Sequence, residues 1–424
     1  MTATDLTVAG KALAGACPRV RAGTDADAVG GLVPAFVASP ADTAEASALL
    51  RAAAGHDLAI VPRGSGSRLD WGPPPARCDL VVDMLRMDAV TEHAAGDLVA
   101  RVQAGARMGA VAAVLASAGQ EIALDVPAGA TAGGVVASGL AGPRRLRYGS
   151  PRDLLIGITI VRADGTVAKS GGKVVKNVAG YDLGKLFAGS AGTLGLITEV
   201  TFRLHPLPAA RRFVTAEFAD PAAGCGAVAA AANSPLVPSA VELTRPVPGG
   251  PIRVGVLLEG SADGVAARAE RMAELLRPGG PGAGEIAGSP PPWWPGLPDG
   301  GGGTLIRVSF WVSALGRVLE AVDAAAGETG LSPAAHGSAG AGVLYMGFPP
   351  EADGVASFVG ALRRTLGRER GSVVVLTAPA PVRDALAACG GMAGRVPSLG
   401  LMRAVKDQFD PGHRLAPGRF PEVI

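Results

Sequence analysis

The chain has 424 residues, of which 48% are hydrophobic and 18% charged, and its formal net charge is +2. This length allows two or three domains with their own cores, and the near balance of charge gives no reason to expect nucleic acid or an anionic membrane as the main partner. Four well-separated cysteines predict neither an iron–sulfur cluster nor a structural zinc site. The absence of a signal-peptide pattern indicates a cytoplasmic protein.

The first half of the chain alternates strand and helix patterns. Asp42 or Thr43 can cap the first of these helices, and an Ala-Asp-Gly turn predicts a pair of strands joined as a hairpin. In chain order the predicted elements are a strand at 35–40, a helix at 41–56, a strand at 57–62, a strand at 97–105, a helix at 106–119, two strands within 153–170 and a strand that stops at Pro206.

Residues after Pro208 have a different pattern. Apolar strands at 211–220, 252–260, 304–312 and 341–348 are separated by helices, which predicts a second α+β domain. Glycine and proline dominate residues 278–303, so a loop without regular structure is expected there.

Three glycine-rich segments stand out in the first half, at 63–68, 127–150 and 189–195. Small residues let main-chain N–H groups converge on an anion, but the same composition suits a tight surface turn or a closely packed helix and loop. Together the three segments could form one long groove, which a dinucleotide needs and a single phosphate does not.

Three stretches make the chain recognisable: "VPRGSGSRL", "TAGGVVASGLAGPRRLRYGSPRDLLIGITIVRADG" and "GGKVVKNVAGYDLGKLFAGSAGTLGLITEVTFRLHPLP". They resemble the FAD-binding domain of the vanillyl-alcohol oxidase/p-cresol methylhydroxylase (PCMH) superfamily, and within it the E subunits of bacterial glycolate oxidases. The resemblance implies an α+β fold. An N-terminal segment at 1–29 would precede a PCMH-type FAD-binding domain of two α+β subdomains at 30–208, and a smaller α+β cap would follow at 209–424.

The resemblance also implies where FAD binds. It places the pyrophosphate on the main chain of residues 64–67 and the adenine end near residues 196 and 197. Several relatives attach flavin covalently through a histidine just after the first glycine turn, where this chain has Ser67 and Arg68, so non-covalent FAD is expected. The residues assigned to the cofactor are Pro62, Arg63, Gly64, Ser65, Gly66, Ser67, Pro127, Thr131, Gly133, Gly134, Ser138, Gly149, Ser150, Asp153, Leu196 and Ile197.

Catalysis has a weaker signal. Oxidation of a 2-hydroxy acid needs a base for the hydroxyl proton, and His336 is the best candidate among five histidines because small residues surround it; an ordinary loop histidine is the alternative. The predicted cap shows no His/Glu metal-ligand motif, so no metal is expected. In the tail, Ala416 stands where relatives often have asparagine.

The resemblance predicts an FAD-containing subunit of a complex that oxidises glycolate to glyoxylate. Its partners would be a catalytic D-like flavoprotein and an iron–sulfur subunit, and contact with a membrane would be only indirect, through these partners. Two alternatives stay open. One is a self-sufficient FAD-dependent 2-hydroxy-acid dehydrogenase, and the other is a structural subunit whose flavin groove is empty.

Overall fold

The computed structural model describes residues 3–172, 181–277, 284–294 and 302–419. The described part divides into two compact units. Unit 1 is Met1–Ala141, Ser150–Leu207 and Val396–Ile424, and unit 2 is Gly142–Gly149 and Pro208–Arg395.

The strands alternate with helices along most of the chain. The strands are β1 Val20–Ala22, β2 Phe36–Ala38, β3 Ile60–Arg63, β4 Leu80–Asp83, β5 Val90–Ala94, β6 Val99–Gln103, β7 Gln120–Glu121, β8 Leu155–Val161, β9 Val167–Gly171, β10 Leu196–Arg203, β11 His205–Pro206, β12 Ala210–Phe218, β13 Ala240–Arg245, β14 Ile252–Gly260, β15 Glu285–Ala287, β16 Thr304–Phe310, β17 Ala335–Gly337, β18 Val343–Phe348 and β19 Gly371–Thr377. The α-helices are α1 Ala3–Ala16, α2 Thr43–Gly55, α3 Met108–Ala116, α4 Ala132–Ser138, α5 Arg145–Tyr148, α6 Pro151–Leu154, α7 Gly184–Phe187, α8 Pro221–Ala232, α9 Ala262–Leu276, α10 Leu315–Thr329, α11 Val355–Arg370, α12 Ala380–Leu386 and α13 Leu399–Phe409.

Unit 1 contains two main sheets. The first has the order β1-β2-β4-β3, with parallel pairing of β4 to both β2 and β3. The second is antiparallel, with the order β5-β6-β10-β8-β9. Helix α2 begins as predicted, since the Asp42 carboxylate accepts a hydrogen bond from the Glu45 N–H at 2.8 Å, and it packs Leu49 and Leu50 into the core. These sheets and helices position the glycine-rich segments.

The β8–β9 hairpin confirms the predicted turn. Gly165 has a φ of +83°, a conformation that glycine adopts without steric cost. The Asp164 carboxylate accepts a hydrogen bond from the Thr166 N–H at 2.9 Å. The apolar strand β8 lies inside the second sheet between β10 and β9, which is consistent with its nearly continuous burial.

The C-terminal segment belongs to unit 1, although the sequence predicts it to be part of the cap. Helix α13 carries Lys406, whose ammonium group is fully buried. It donates to the Asp410 carboxylate at 2.6 Å, the Thr193 carbonyl at 2.7 Å and the Leu415 carbonyl at 2.9 Å. Leu415 then bridges to Ile60 of β3. These buried polar contacts hold the segment in place.

Unit 2 is built on one antiparallel sheet with the order β15-β12-β14-β13-β17-β18-β16-β19. Alternate side chains of each strand point to opposite faces. One face packs against helices α8 to α11 in an apolar core that includes Leu243, Leu344 and Val308. The other face carries many polar side chains, which are described with the candidate site.

Two further features of unit 2 differ from the expectations. Residues 142–149, predicted within the FAD-binding domain, belong to unit 2, where Arg144 forms an ion pair with Glu259 at 3.4 Å. The predicted absence of regular structure across residues 278–303 is wrong at β15, which pairs with β12. Residues 278–283 and 295–301 of that stretch lie outside the described residues. No helix in the described part of the chain is long and apolar enough to span a membrane.

Candidate functional site

The loop after β3 carries consecutive main-chain donors without acceptors. No described residue accepts a hydrogen bond from the N–H groups of Gly64, Ser65, Gly66 or Ser67. Gly66 has a φ of +78°, and the first three of these residues are only half-buried. Successive unpaired N–H groups in such a turn form a concavity that binds anions. The loop therefore fits a phosphate group better than a simple surface turn.

The three glycine-rich segments touch one another in the parts that belong to unit 1. A Cβ atom on Gly64 would overlap the Thr131 hydroxyl, so the first segment touches the second at a distance only glycine permits. The third segment touches the second through a hydrogen bond from the Ala191 N–H to the Ala137 carbonyl at 2.8 Å, and a Cβ atom on Gly192 would lie 3.3 Å from the side chain of Pro62, the residue before the first segment. The three segments are thus neighbours in the fold, and the groove for FAD stays a prediction.

Several residues assigned to the cofactor have structural partners instead. The Gly133 N–H donates to the Ala104 carbonyl at 2.8 Å, and a Cβ atom there would lie 2.7 Å from the Ala104 Cβ. The Gly134 N–H donates to the Thr131 hydroxyl, which caps α4. Gly133 is therefore explained by close packing of α4 against β6, and neither N–H group is free for a ligand.

Ser150 and Asp153 cap helix α6 together. The Asp153 carboxylate accepts hydrogen bonds from the Ser150 N–H at 2.7 Å and from its hydroxyl at 2.8 Å. The bond from the Ser150 N–H to the Asp153 side chain is the one that a capping box provides at the start of a helix. Their side chains thus hold the turn that follows the second glycine-rich segment.

The Arg63 guanidinium lies between two carboxylates. It donates to Asp27 at 3.1 Å and to Asp83 at 2.8 Å. Hydrogen bonds from Arg21, with further ones from Thr24 and Arg63, hold the pKa of Asp27 well below its ordinary value. Arg63 therefore fixes the end of β3 from which the N–H-rich loop starts.

The remaining residues assigned to FAD lie in different environments. Pro127 is exposed, and its carbonyl accepts a hydrogen bond from the Ala130 N–H at 2.9 Å. The Ser138 hydroxyl donates to the Val135 carbonyl at 3.3 Å. Leu196 and Ile197 are buried in β10, and Gly149, with a φ of +83°, falls in unit 2.

His336 lies on the polar face of the unit 2 sheet. On β17 it stands between Thr244 of β13 and Tyr345 of β18, and Arg307 of β16 is opposite Tyr345. The four side chains therefore form a row across four neighbouring strands. Burial lowers the pKa of His336 below its ordinary value, which keeps the imidazole neutral and able to accept a proton near pH 7.

Sequence reasoning missed the other members of this row. Their signal is a charged or hydroxylated residue at the period of a strand inside an apolar run, such as Arg307 in "TLIRVSF". A second polar group lies on the same face, where buried Glu259 accepts hydrogen bonds from Arg211 at 2.9 Å and Tyr148 at 3.3 Å. No group of three or more His, Cys, Asp or Glu side chains in the described ranges is arranged to hold a metal ion.

A family model described as an FAD binding domain matches residues 34–171. Residues 34–171 form an FAD-binding domain. This confirms the predicted cofactor, FAD.

Each of three curated relatives matches between about a third and a half of the chain. Glycolate oxidase subunit GlcD of Bacillus subtilis (strain 168) is 34% identical over 212 residues, which are 50% of this chain and 45% of the relative. Glycolate oxidase subunit GlcE of Escherichia coli (strain K12) is 40% identical over 154 residues, which are 36% and 43% of the two chains. D-lactate dehydrogenase [cytochrome] 1, mitochondrial, of Saccharomyces cerevisiae (strain ATCC 204508 / S288c) is 33% identical over 188 residues, which are 44% and 32%. The chain spans less than half the length of these relatives.

Solved structures share the fold over nearly the whole chain. A crystal structure of p-cresol methylhydroxylase with bound substrate has a TM-score of 0.76 at 16% identity, covering 100% of this chain and 98% of that one. Chitooligosaccharide oxidase has a TM-score of 0.67 at 16% identity, covering 98% and 99%. The predicted PCMH-type α+β fold around the FAD-binding domain is therefore confirmed.

Proposed function

We propose that the chain is a non-covalent FAD-binding subunit of a complex that oxidises a 2-hydroxy acid, glycolate to glyoxylate. The observation that carries the proposal is the loop of unpaired N–H groups at residues 64–67, within a domain that binds FAD. Similarity to two glycolate oxidase subunits and to a D-lactate dehydrogenase supports this substrate class. A D-like flavoprotein and an iron–sulfur subunit would complete the complex.

The chain's own residues would hold the cofactor mainly through the main chain. The N–H groups of residues 64–67 bind the pyrophosphate, while the Arg63 ion pairs and the Thr131 cap keep the two neighbouring segments in place. When bound, FAD supplies an acceptor for the two electrons that leave the substrate carbon. The attachment position has Ser67 and Arg68, and the Arg68 guanidinium lies 5.0 Å from the Trp71 ring centroid.

Flavin content tests the cofactor part of the proposal. The purified chain should show flavin absorbance, and acid precipitation should release all the flavin into the supernatant. Flavin that stays with the pellet would refute non-covalent binding. A folded chain without flavin, which also fails to bind added FAD, would favour the structural subunit with an empty groove.

Activity of the single chain tests the division of labour. In the subunit proposal the isolated chain holds FAD but oxidises glycolate poorly, and activity appears with its partners. General-base catalysis raises a reaction rate roughly 10²- to 10⁴-fold. The lower rate of a chain without a catalytic base is therefore easily measured. Co-purification with a flavoprotein and an iron–sulfur protein, in the soluble fraction or peripherally at the inner membrane face, supports the complex and a cytoplasmic location.

One observation favours the self-sufficient dehydrogenase as a second candidate. His336 is kept neutral by burial and stands beside Tyr345, with ring centroids 6.2 Å apart. A neutral imidazole there could take the hydroxyl proton of a substrate. Robust turnover of glycolate or D-lactate by the single chain, lost in His336→Ala, would establish this candidate and reject the subunit proposal.

A further inference from the structure

The C-terminal segment of unit 1 lies against the loop that follows β3. Arg419 is only 4% exposed, and its Nη2 atom donates to the Leu69 carbonyl at 2.8 Å and to the Trp71 carbonyl at 2.6 Å. Both acceptors come just after the unpaired N–H groups of residues 64–67. One buried guanidinium therefore binds the second half of the same loop at two points.

The main chain next to Arg419 is itself bonded to unit 1 on both sides of the loop. Before the loop, the Ile60 carbonyl of β3 accepts a hydrogen bond from the Ala416 N–H at 2.8 Å. After the loop, the Ala76 N–H donates to the Pro417 carbonyl at 2.8 Å. The Arg419 side chain thus reaches the loop from a segment that is already held in place, so it can restrain the loop.

The hydrogen bonds within the loop are longer than those that Arg419 makes. The Leu69 N–H donates to the Gly66 carbonyl at 3.2 Å, and the Trp71 N–H donates to the Arg68 carbonyl at 3.2 Å, which is the upper end of the usual range. Hydrogen bonds from an ionised donor are also roughly twice as strong as those between neutral groups. Arg419 therefore restrains this part of the loop more than these main-chain bonds do.

The other end of the loop has a corresponding anchor. The ion pairs of Arg63 with Asp27 and Asp83 fix the end of β3, so residues 64–67 lie between two guanidinium groups that hold the chain on either side. The two differ in their acceptors, because Arg419 binds main-chain carbonyl groups of the loop itself. Its bonds fix the conformation of the loop.

We propose that Arg419 is a positioning residue for FAD, which holds the Leu69 and Trp71 carbonyl groups and thereby keeps the N–H groups of residues 64–67 turned towards the pyrophosphate. A peptide group is planar, so fixing its oxygen also fixes the N–H group of the next residue. A loop free to take other conformations binds FAD only in its competent fraction, and the observed affinity falls by that fraction. This role rests on the proposed function in one respect, the binding of pyrophosphate by residues 64–67.

Titration of the full-length chain with FAD, after its bound cofactor is removed, measures the effect by flavin fluorescence. Arg419→Met keeps an apolar stem and removes the donor. Hydrogen bonds to a charged group shift an equilibrium about 10- to 100-fold, so FAD affinity should fall by about 10- to 100-fold. Arg419→Lys should lose less, because its ammonium group is one bond closer to the main chain but still carries N–H donors for both carbonyl groups.

Hydrogen exchange of the FAD-free chain separates positioning from a general loss of stability. In Arg419→Met the N–H groups of Leu69 and Trp71 should exchange faster than in the parent. The N–H groups of β8, which lies in the other main sheet of unit 1, should exchange at the parental rate. A merely structural arginine would change both regions together.

Arg414→Met is the matched control. Arg414 belongs to the same C-terminal segment, but its guanidinium donates to the Ala163 carbonyl at 3.4 Å and not to the loop. This variant should bind FAD like the parent. If Arg419→Met does not fold, Arg419→Gln takes its place, since its side chain is polar but two bonds shorter, and it should also weaken FAD binding.

Four results would overturn the role: parental FAD affinity in the folded Met or Gln variant of Arg419, an equal loss in Arg414→Met, no advantage of lysine over methionine, or exchange that rises equally in β8. Failure of the proposed function is distinguishable. A chain whose FAD affinity depends on Arg419 but which supports no 2-hydroxy-acid oxidation, alone or with partners, keeps the role and rejects the activity.

Discussion

Replacing Gly64 by alanine should weaken FAD binding through one identifiable contact. Gly64 has no positive φ, so alanine is allowed by its backbone, and the whole cost comes from the space its methyl group needs. That methyl would overlap the Thr131 hydroxyl and lie 3.2 Å from the Thr131 Cβ atom. Thr131 must rotate, or the loop must move away from α4.

The size of the effect follows from two losses. Overpacking costs about 1–3 kcal/mol. Rotation of Thr131 also breaks the cap to the Gly134 N–H, a 3.3 Å hydrogen bond, and losing such a cap costs about 0.5–2 kcal/mol. We expect unit 1 to lose about 2–4 kcal/mol of unfolding free energy and FAD affinity to fall at least about tenfold, because the N–H groups of residues 64–67 shift together.

Calorimetric unfolding and fluorescence titration with FAD would measure these changes. Gly15→Ala in α1 is the control, since a Cβ atom there has no neighbour within 4 Å and no positive φ opposes it. In a Thr131→Ala background the Gly64→Ala cost should drop below about 1 kcal/mol, because the obstructing hydroxyl is gone. Equal costs in both backgrounds would refute the contact as the cause.

The other predictions concern stability and thiol ionisation. Lys406→Met should destabilise unit 1 by about 3–5 kcal/mol, because it leaves the Asp410 carboxylate buried without its cation; adding Asp410→Leu should recover part of the loss in denaturant unfolding, and no recovery would contradict the pairing. Val237→Asn should raise the melting temperature of unit 2, since Val237 has a φ of +50° and is 52% exposed, and a β-branched residue is unfavourable in that region; a lower value would contradict the strain. Burial raises the pKa of the Cys78 thiol to about 11, above its unfolded value of 9.0, so its contribution to stability is complete below pH 9 and is lost as the pH rises towards 11. Cys78→Ala should therefore lose less stability than the parent between pH 9 and 11, and parallel pH profiles would contradict this.

Local sequence signals predicted the elements that depend on neighbouring residues. The Asp42 cap of α2 and the glycine turn between β8 and β9 are decided within a few residues, and both are observed. The loop at residues 64–67 is of the same kind, because glycines and short serines follow a strand directly. That no described residue accepts a hydrogen bond from the N–H groups of this loop, however, is visible only in the fold.

Features that depend on distant contacts were not predictable. The C-terminal segment joins unit 1 through Lys406, whose partner Thr193 is 213 residues away in sequence. The chain has 62 glycines, so the presence of a glycine does not by itself indicate its role. The neighbouring residues in sequence do not distinguish Gly133, which packs against β6, from Gly66, which shapes a loop. Ala416 illustrates a substitution with a physical meaning: its φ is +44°, a region in which asparagine is enriched.

The return of the C-terminal segment to β3 has a consequence for synthesis of the chain. Residues 208–395 are synthesised before Lys406 and Leu415, so unit 1 gains its last buried contacts only after the long segment of unit 2 has been made. A shortened chain that ends at residue 395 would leave the edge of β3 and the Thr193 carbonyl unpaired, and it would be a substrate for chaperones and proteases even though residues 34–171 are intact.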